Sequence, residues 1–240
     1  MQEDNVKKGE TEKETVLSEV AQPLQETEQD APITEGGSGF VIKKRTEASG
    51  DAGPLRPLDV EKVLAEYPEL TFLPNLWDVK TPVLVFTENA ERTIKKHISW
   101  GKKTRENVYE QGGILIGRPF SLPGGGVLGL AEHAIPAVLS RASSAYLEMG
   151  TETWMRMLNI YDAQYKDKGL NVIGWFHTHP NSLPVFMSAT DMGTQRTFFY
   201  QNWHFSAVMN PHQHLLACFC SAQAVSCGYY PQDYTTRIWK

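Results

Sequence analysis

The sequence predicts an α/β domain, with helices flanking a mixed β-sheet, behind a long acidic leader. Three observations carry this. From residue 80 to 232, short apolar runs of strand length alternate with segments whose apolar residues recur at helical spacing. Two pairs of those runs are joined by turn chemistry, Pro123-Gly-Gly-Gly-Val127 and Asn210-Pro-His-Gln-His214, which makes part of the sheet antiparallel. Charge is partitioned as well. Residues 1 to 35 hold ten Asp or Glu against three Lys, a balance of −7, while the whole chain is −5, so the remainder carries about +2.

Each element has a local chemical cause. Residues 1–53 are expected to form a disordered leader: no aromatic precedes Phe40, and the flexible run Gly36-Gly-Ser-Gly39 stands just before it, so too little apolar surface is available to offset chain entropy. Residues 54–79 are expected to pack on the core. Within them Val60, Val63, Leu64 and Tyr67 mark a short helix capped by Asp59 and stopped by Pro68, and Leu70–Trp77 is too apolar for a free linker. Residues 80–232 are expected to form the compact domain. It opens with a strand over Pro82–Phe86, then a helix capped by Thr87 that places Ala90, Ile94 and Ile98 on one face. Glu110 leads into a strand over Gly112–Gly117, and Val127–Ile135 returns from the turn. A second helix starts at Thr151 with Trp154, Met157, Leu158 and Tyr161 on one side and ends near Gly169. Then come a strand over Val172–Phe176, a third helix over Ser188–Tyr200, and a hairpin of Phe205–Met209 with Leu215–Ser221. Residues 233–240 are a tail.

No stretch of 18 apolar residues exists and the first residues are acidic, so a soluble, cytoplasmic protein with no membrane partner is expected. The basic runs Lys43-Lys-Arg45 and Lys102-Lys103 are short, so no nucleic-acid partner is expected either. Cys218, Cys220 and Cys227 are odd in number and read as reduced, buried thiols. Pairing Cys218 and Cys220 with His212 or His214 around a metal is disfavoured, because zinc-binding cysteines ordinarily stand two to four residues apart.

The chemistry concentrates in Val172-Ile-Gly-Trp-Phe-His-Thr-His-Pro180 and the residues after it. His177 and His179, at i and i+2, project from the same side of an extended segment, and Asp191 from the next turn closes a three-ligand set. Three protein ligands leave a fourth position open, the mark of a catalytic rather than a structural zinc site.

Upstream Glu110, then His177-Thr-His-Pro180, then Ser188-Ala-Thr-Asp191 resembles the JAMM (MPN-plus) zinc metalloprotease family, in its compact prokaryotic-type form. Gly112, Gly113 and Gly117 after the Glu, and Gly174-Trp175 before the first His, are similar to the family's surroundings. Eleven residues separate His179 from Asp191, one more than the pattern usually has, and a polar loop containing Pro184 can absorb the addition. The resemblance implies an MPN (cytidine-deaminase-like) sandwich over residues 80–232 and a Zn2+ cofactor on His177, His179 and Asp191. It implies Glu110 as general base and Ser188 as oxyanion donor. The implied activity is hydrolysis of amide or isopeptide bonds at the C-terminal tail of ubiquitin-like proteins, with such a protein or its conjugate as partner. Two alternatives use the same core: a non-catalytic MPN scaffold in an assembly, or a processing peptidase for a sulfur-carrier protein. An amidohydrolase barrel needs more chain than the 61 residues after His179, and a zinc deaminase needs a Pro-Cys-x-x-Cys element that is missing. A sheet edge beside the histidines is expected to receive the substrate tail as an added strand.

Overall fold

The computed structural model describes residues 54–138, 141–143 and 146–231, so the leader and the tail expected from the sequence lie outside the described residues. The described chain starts with β1 (Arg56–Pro57) and α1 (Val60–Glu66), then a 3-10 turn at Leu73–Leu76. Next come β2 (Val83–Phe86), α2 (Glu88–His97), β3 (Gly112–Ser121) and β4 (Val127–Pro136). A small pair, β5 (Arg141–Ser143) and β6 (Tyr146–Glu148), precedes α3 (Thr151–Gln164) and β7 (Asn171–Thr178). The chain finishes with α4 (Ala189–Phe198), β8 (Phe205–Asn210), β9 (Leu215–Cys220) and β10 (Val225–Tyr230). Asp59 and Thr87 cap α1 and α2 through their side chains, as their positions before the apolar periodicity predict.

The sheet does not lie open between layers of helices. Its strands run β3-β4-β2-β10-β9-β8-β7, and β7 pairs back onto β3, which closes a seven-stranded mixed barrel. The helix-flanked sandwich, and with it the MPN architecture, is therefore corrected: the fold is a closed barrel with four α-helices among the described residues. The cause lies in β3. Ten residues long, it takes β4 along one edge and β7 along the other, and register breaks at Ile116/Gly117 and Leu115/Ile116 add the local twist that lets a sheet curl on itself. Glycine permits the close approach. A Cβ on Gly117 would sit 1.8 Å from the Leu130 carbonyl oxygen, and one on Gly174 would sit 2.0 Å from that of Phe205.

Alternation along the strands sorts side chains to the two faces of the barrel. Leu84 and Phe86, Leu115, Ala131, Phe176, Phe205 and Ala207, Cys218 and Cys220 join one buried cluster, which Cys227 and Tyr229 of β10 also pack against. All seven ring strands thus feed the same interior, and α2 adds Ala90, Ile94 and Ile98 to it. The opposite faces are covered in two patches. Val83, Val85, Leu128 and Leu130 meet Val63, Leu70, Leu73 and Leu76 of the N-terminal segment. Ile114, Ile116 and Trp175 meet Met157 of α3 and Phe199 just beyond α4. The N-terminal patch is pinned by charge: buried Glu132 on β4 accepts from Arg118 Nε at 2.7 Å and from the Tyr67 hydroxyl at 2.5 Å, while Arg118 also bonds Glu66. That pairing satisfies a carboxylate which burial would otherwise make costly.

Candidate metal centre

Strand pairing places the two histidines. The Thr178 amide donates to the Gln111 carbonyl at 2.8 Å, the Gln111 amide donates to Thr178 Oγ1 at 2.8 Å, and the His179 amide donates to the Met209 carbonyl at 2.8 Å. Thr178 is thereby locked between two strands and both imidazoles turn to one side. The same bonds fix Gln111, so Glu110 before it is delivered next to the pair. Both edges of β7 are taken, by β3 and by β8, which removes the free edge expected beside the histidines. The nearest strands with an unpaired edge among the described residues are β5 and β6, and Leu147 of β6 reaches the site.

Asp191 arrives from α4. Ser188 Oγ accepts from the Asp191 amide at 3.2 Å and Asp191 Oδ2 accepts from the Ser188 amide at 2.7 Å, a reciprocal cap that orients the carboxylate before any ligand binds. The helix is held against β7 by Gln195, one turn on from Asp191. Trp175 Nε1 donates to Gln195 Oε1 at 2.7 Å, and Gln195 Nε2 donates to the carbonyls of Phe199 and Ser221. Trp175 in turn stacks on His177 with ring centres 4.4 Å apart.

The donor atoms of His177, His179 and Asp191 all lie within 4.8 Å of one another, and the three residues are buried. His177 Nε2 is 3.2 Å from Asp191 Oδ1 and His179 Nε2 is 3.5 Å from Oδ2. Neither nitrogen of His177 has a hydrogen-bond partner despite complete burial. Two groups so close, yet not aligned on each other, converge on a shared point as metal ligands do. The His179 tautomer suits that role: Nδ1–H donates to the Pro184 carbonyl at 2.7 Å, leaving the Nε2 lone pair toward Asp191.

The charge states also fit. Burial lowers the His177 pKa and keeps that ring neutral. Burial would raise Asp191, but the two imidazoles and Ser188 outweigh it and hold the carboxyl far below the usual carboxylate range. Burial would lower His179, but Asp191, the Pro184 carbonyl and Glu110 together outweigh it and lift the ring above its ordinary value, so a metal and a proton compete for Nε2. These three residues can hold a metal ion, and they form the one such group of three or more His, Cys, Asp or Glu among the described residues.

Glu110, Ser188, His179 and Asp191 line one small cavity of about 160 Å³ together with Leu147, Leu183 and Phe186. Burial, reinforced by Asp191 and opposed by His179, pushes the Glu110 carboxyl up to about 7. Ser188 spends an oxygen lone pair on its cap, so its O–H remains available as a donor. The structure thus brings every sequence-predicted site residue to one place.

His212 and His214 have structural duties. His212 Nδ1 accepts from the Asn181 amide at 2.8 Å, so Nε2 carries the proton and donates to Asn107 Oδ1 at 3.0 Å; no thiol takes part. Asn181, in the left-handed region at φ 60, is also held through its carbonyl by Asn210, which bonds the Leu183 carbonyl as well. This braces the loop whose Pro184 carbonyl orients His179. His214 stacks on Trp100. Cys218 and Cys227 are cross-strand neighbours whose thiols burial pushes up, which keeps them protonated and inert.

No family model and no curated protein matches this chain. No helix among the described residues is long and apolar enough to cross a membrane.

Proposed function

We propose that this protein is a zinc-dependent amide hydrolase acting on an extended C-terminal tail of the kind ubiquitin-like proteins carry. The observation that supports it most is the buried His177, His179 and Asp191 set with its unpartnered imidazole nitrogens, beside a Glu110 whose carboxyl titrates near neutral pH. Two nitrogens and one carboxylate suit zinc, and the order Glu, His-x-His-Pro, Ser-x-x-Asp is similar to the JAMM motif. When bound, zinc supplies Lewis acidity that polarises a carbonyl and acidifies water.

The chain's own residues do the rest. Glu110 takes a proton from the attacking water and returns it to the departing amine, and a carboxyl near 7 is matched to both halves of that exchange. Ser188 donates its hydroxyl hydrogen to the oxygen on which negative charge develops. His179 and Asp191 are held in place by the Pro184 carbonyl and the Ser188 amide before substrate arrives. Leu147, Leu183 and Phe186 give the cavity apolar walls that exclude water, and its small volume favours a narrow tail of small residues. The edge of the β5–β6 pair that is left unpaired among the described residues is the place where such a tail can add as a strand.

Zinc-loaded protein incubated with a fusion joined through a ubiquitin-like tail should release the tail as a free carboxylate, seen by intact mass. Cleavage of small amides alone, with no conjugate touched, would contradict the substrate assignment. Ser188→Gly separates two duties of one residue. Glycine costs a helix cap only a few tenths of a kcal/mol, whereas losing an oxyanion donor costs roughly 10²–10³ in kcat. The variant should melt close to wild type and turn over far more slowly; unchanged kcat would remove Ser188 from the chemistry.

A further inference from the structure

Glu110 lines a second cavity, of about 340 Å³, besides the one it shares with His179, Ser188 and Asp191. The two spaces differ in character. On the Ser188 side the additional walls are chiefly Leu147, Leu183 and Phe186, whereas this second space is lined by Glu106, Glu110, His97 and Gln111, with Tyr109 and Val138 exposed at its rim and no lysine or arginine among the described lining residues.

Two of those polar side chains have buried atoms with nothing to bond: His97 Nε2 and Gln111 Oε1. Both are acceptors. His97 Nε2 is buried without a partner, and in the tautomer that carries its proton on Nδ1 it is a bare lone pair. Gln111 spends its amide hydrogen on the His97 carbonyl at 3.2 Å, which leaves Oε1 as the unpaired atom. An unsatisfied buried polar group typically costs ~1–3 kcal/mol, and a donor that reaches both would relieve it. Two unpaired acceptors beside two carboxyl groups select a ligand that is rich in donors and positively charged, and the exposed Tyr109 and Val138 suit a short aliphatic stem behind it.

We infer that this cavity is an ammonium site, with His97 and Gln111 as the acceptors that receive the amine departing from the scissile bond. The placement rests on the proposed hydrolase reading, in which Glu110 hands the proton over. Water adds its oxygen to the carbonyl carbon, the C–N bond breaks, both electrons of that bond stay with nitrogen, and the proton relayed by Glu110 makes it a neutral amine. The second proton, which makes it ammonium, comes from the carboxylic acid just formed, which leaves as carboxylate. The amide N–H offers one donor before cleavage and the ammonium offers three afterwards. The acceptors therefore gain donors as the nitrogen collects protons, and they hold the departing amine more strongly than the amide it came from. His97 and Gln111 act here as specificity and positioning residues.

The test uses n-butylammonium chloride and n-butanol as probes on the full chain, first freed of metal so that the amine cannot ligate it, then with zinc. Backbone amide shifts at Gln111 and Gly112 should respond to butylammonium and not to butanol, and His97→Phe should weaken that binding at least 10-fold while leaving the melting temperature close to wild type. Gln111→Met is the second variant, should His97→Phe fail to fold. Equal responses to both probes, or binding unaffected by the folded variant, would overturn the inference. Ammonium binding in a protein that hydrolyses no tail-linked amide would keep the site and sink the hydrolase reading, whereas hydrolysis without ammonium binding would do the reverse.

Discussion

Glu110→Gln is expected to keep the metal and the fold and lose turnover by about 10²–10⁴-fold, the usual contribution of a positioned acid–base group. The amide is the same size, so the cavity it shares with His179, Ser188 and Asp191 is preserved. What it cannot do is accept a proton. A carboxyl pushed up to about 7 by burial is half-ionised near neutral pH, which suits an exchange in both directions, and glutamine has no equivalent. Metal content by mass spectrometry and kcat on a tail-linked fusion should part company in this variant. Loss of metal together with activity would make Glu110 a ligand and the role given to it here wrong.

His177→Leu should change stability far more when metal is present than when it is absent. In metal-free protein leucine removes the buried, unpartnered Nδ1 but also takes away the imidazole that stands 3.2 Å from Asp191 Oδ1, so the two effects oppose and the variant should melt close to wild type in chelator. Added zinc should raise the wild type, by about 4 kcal/mol at 1,000 times its Kd, and leave the variant nearly unmoved. The two melting curves should therefore start close together and separate on titration with zinc. A wild type that is more stable than the variant under chelator and insensitive to zinc would mean that His177 packs against Trp175 and does nothing else.

The candidate site is more legible in the sequence than the fold around it. Two histidines at i and i+2 on a strand, and an aspartate four residues before Gln195 on a helix, are local patterns, and local patterns are what spacing reports. The Ser188 and Asp191 pair carries the signature of a helix start, and in the structure that cap is what orients the carboxylate. Gln195 shares the helix face of Asp191 and is open to discovery by the same periodicity; Pro184 is not, because a carbonyl has no sequence signal. Closure of the barrel escapes a sequence reading for a different reason. It depends on β3 accepting β4 and β7 on opposite edges, pairings across many residues that no window of sequence contains. β10 gives little signal because Val225–Tyr230 carries Ser226 and Gly228 in place of a continuous apolar run, and β1, β5 and β6 are too short to show a period.

The proposed hydrolase requires that His177, His179 and Asp191 hold a single zinc ion in the working protein. Elemental analysis of the full chain, purified without chelator and dialysed against micromolar free zinc, tests it directly. Close to one zinc per chain, abolished in a His177→Ala, His179→Ala double variant, is the result this site predicts. Stoichiometric iron in place of zinc would keep the ligands and contradict the hydrolase, since two histidines and a carboxylate also serve iron oxygenases. No bound metal, or full retention in the double variant, would contradict the site itself.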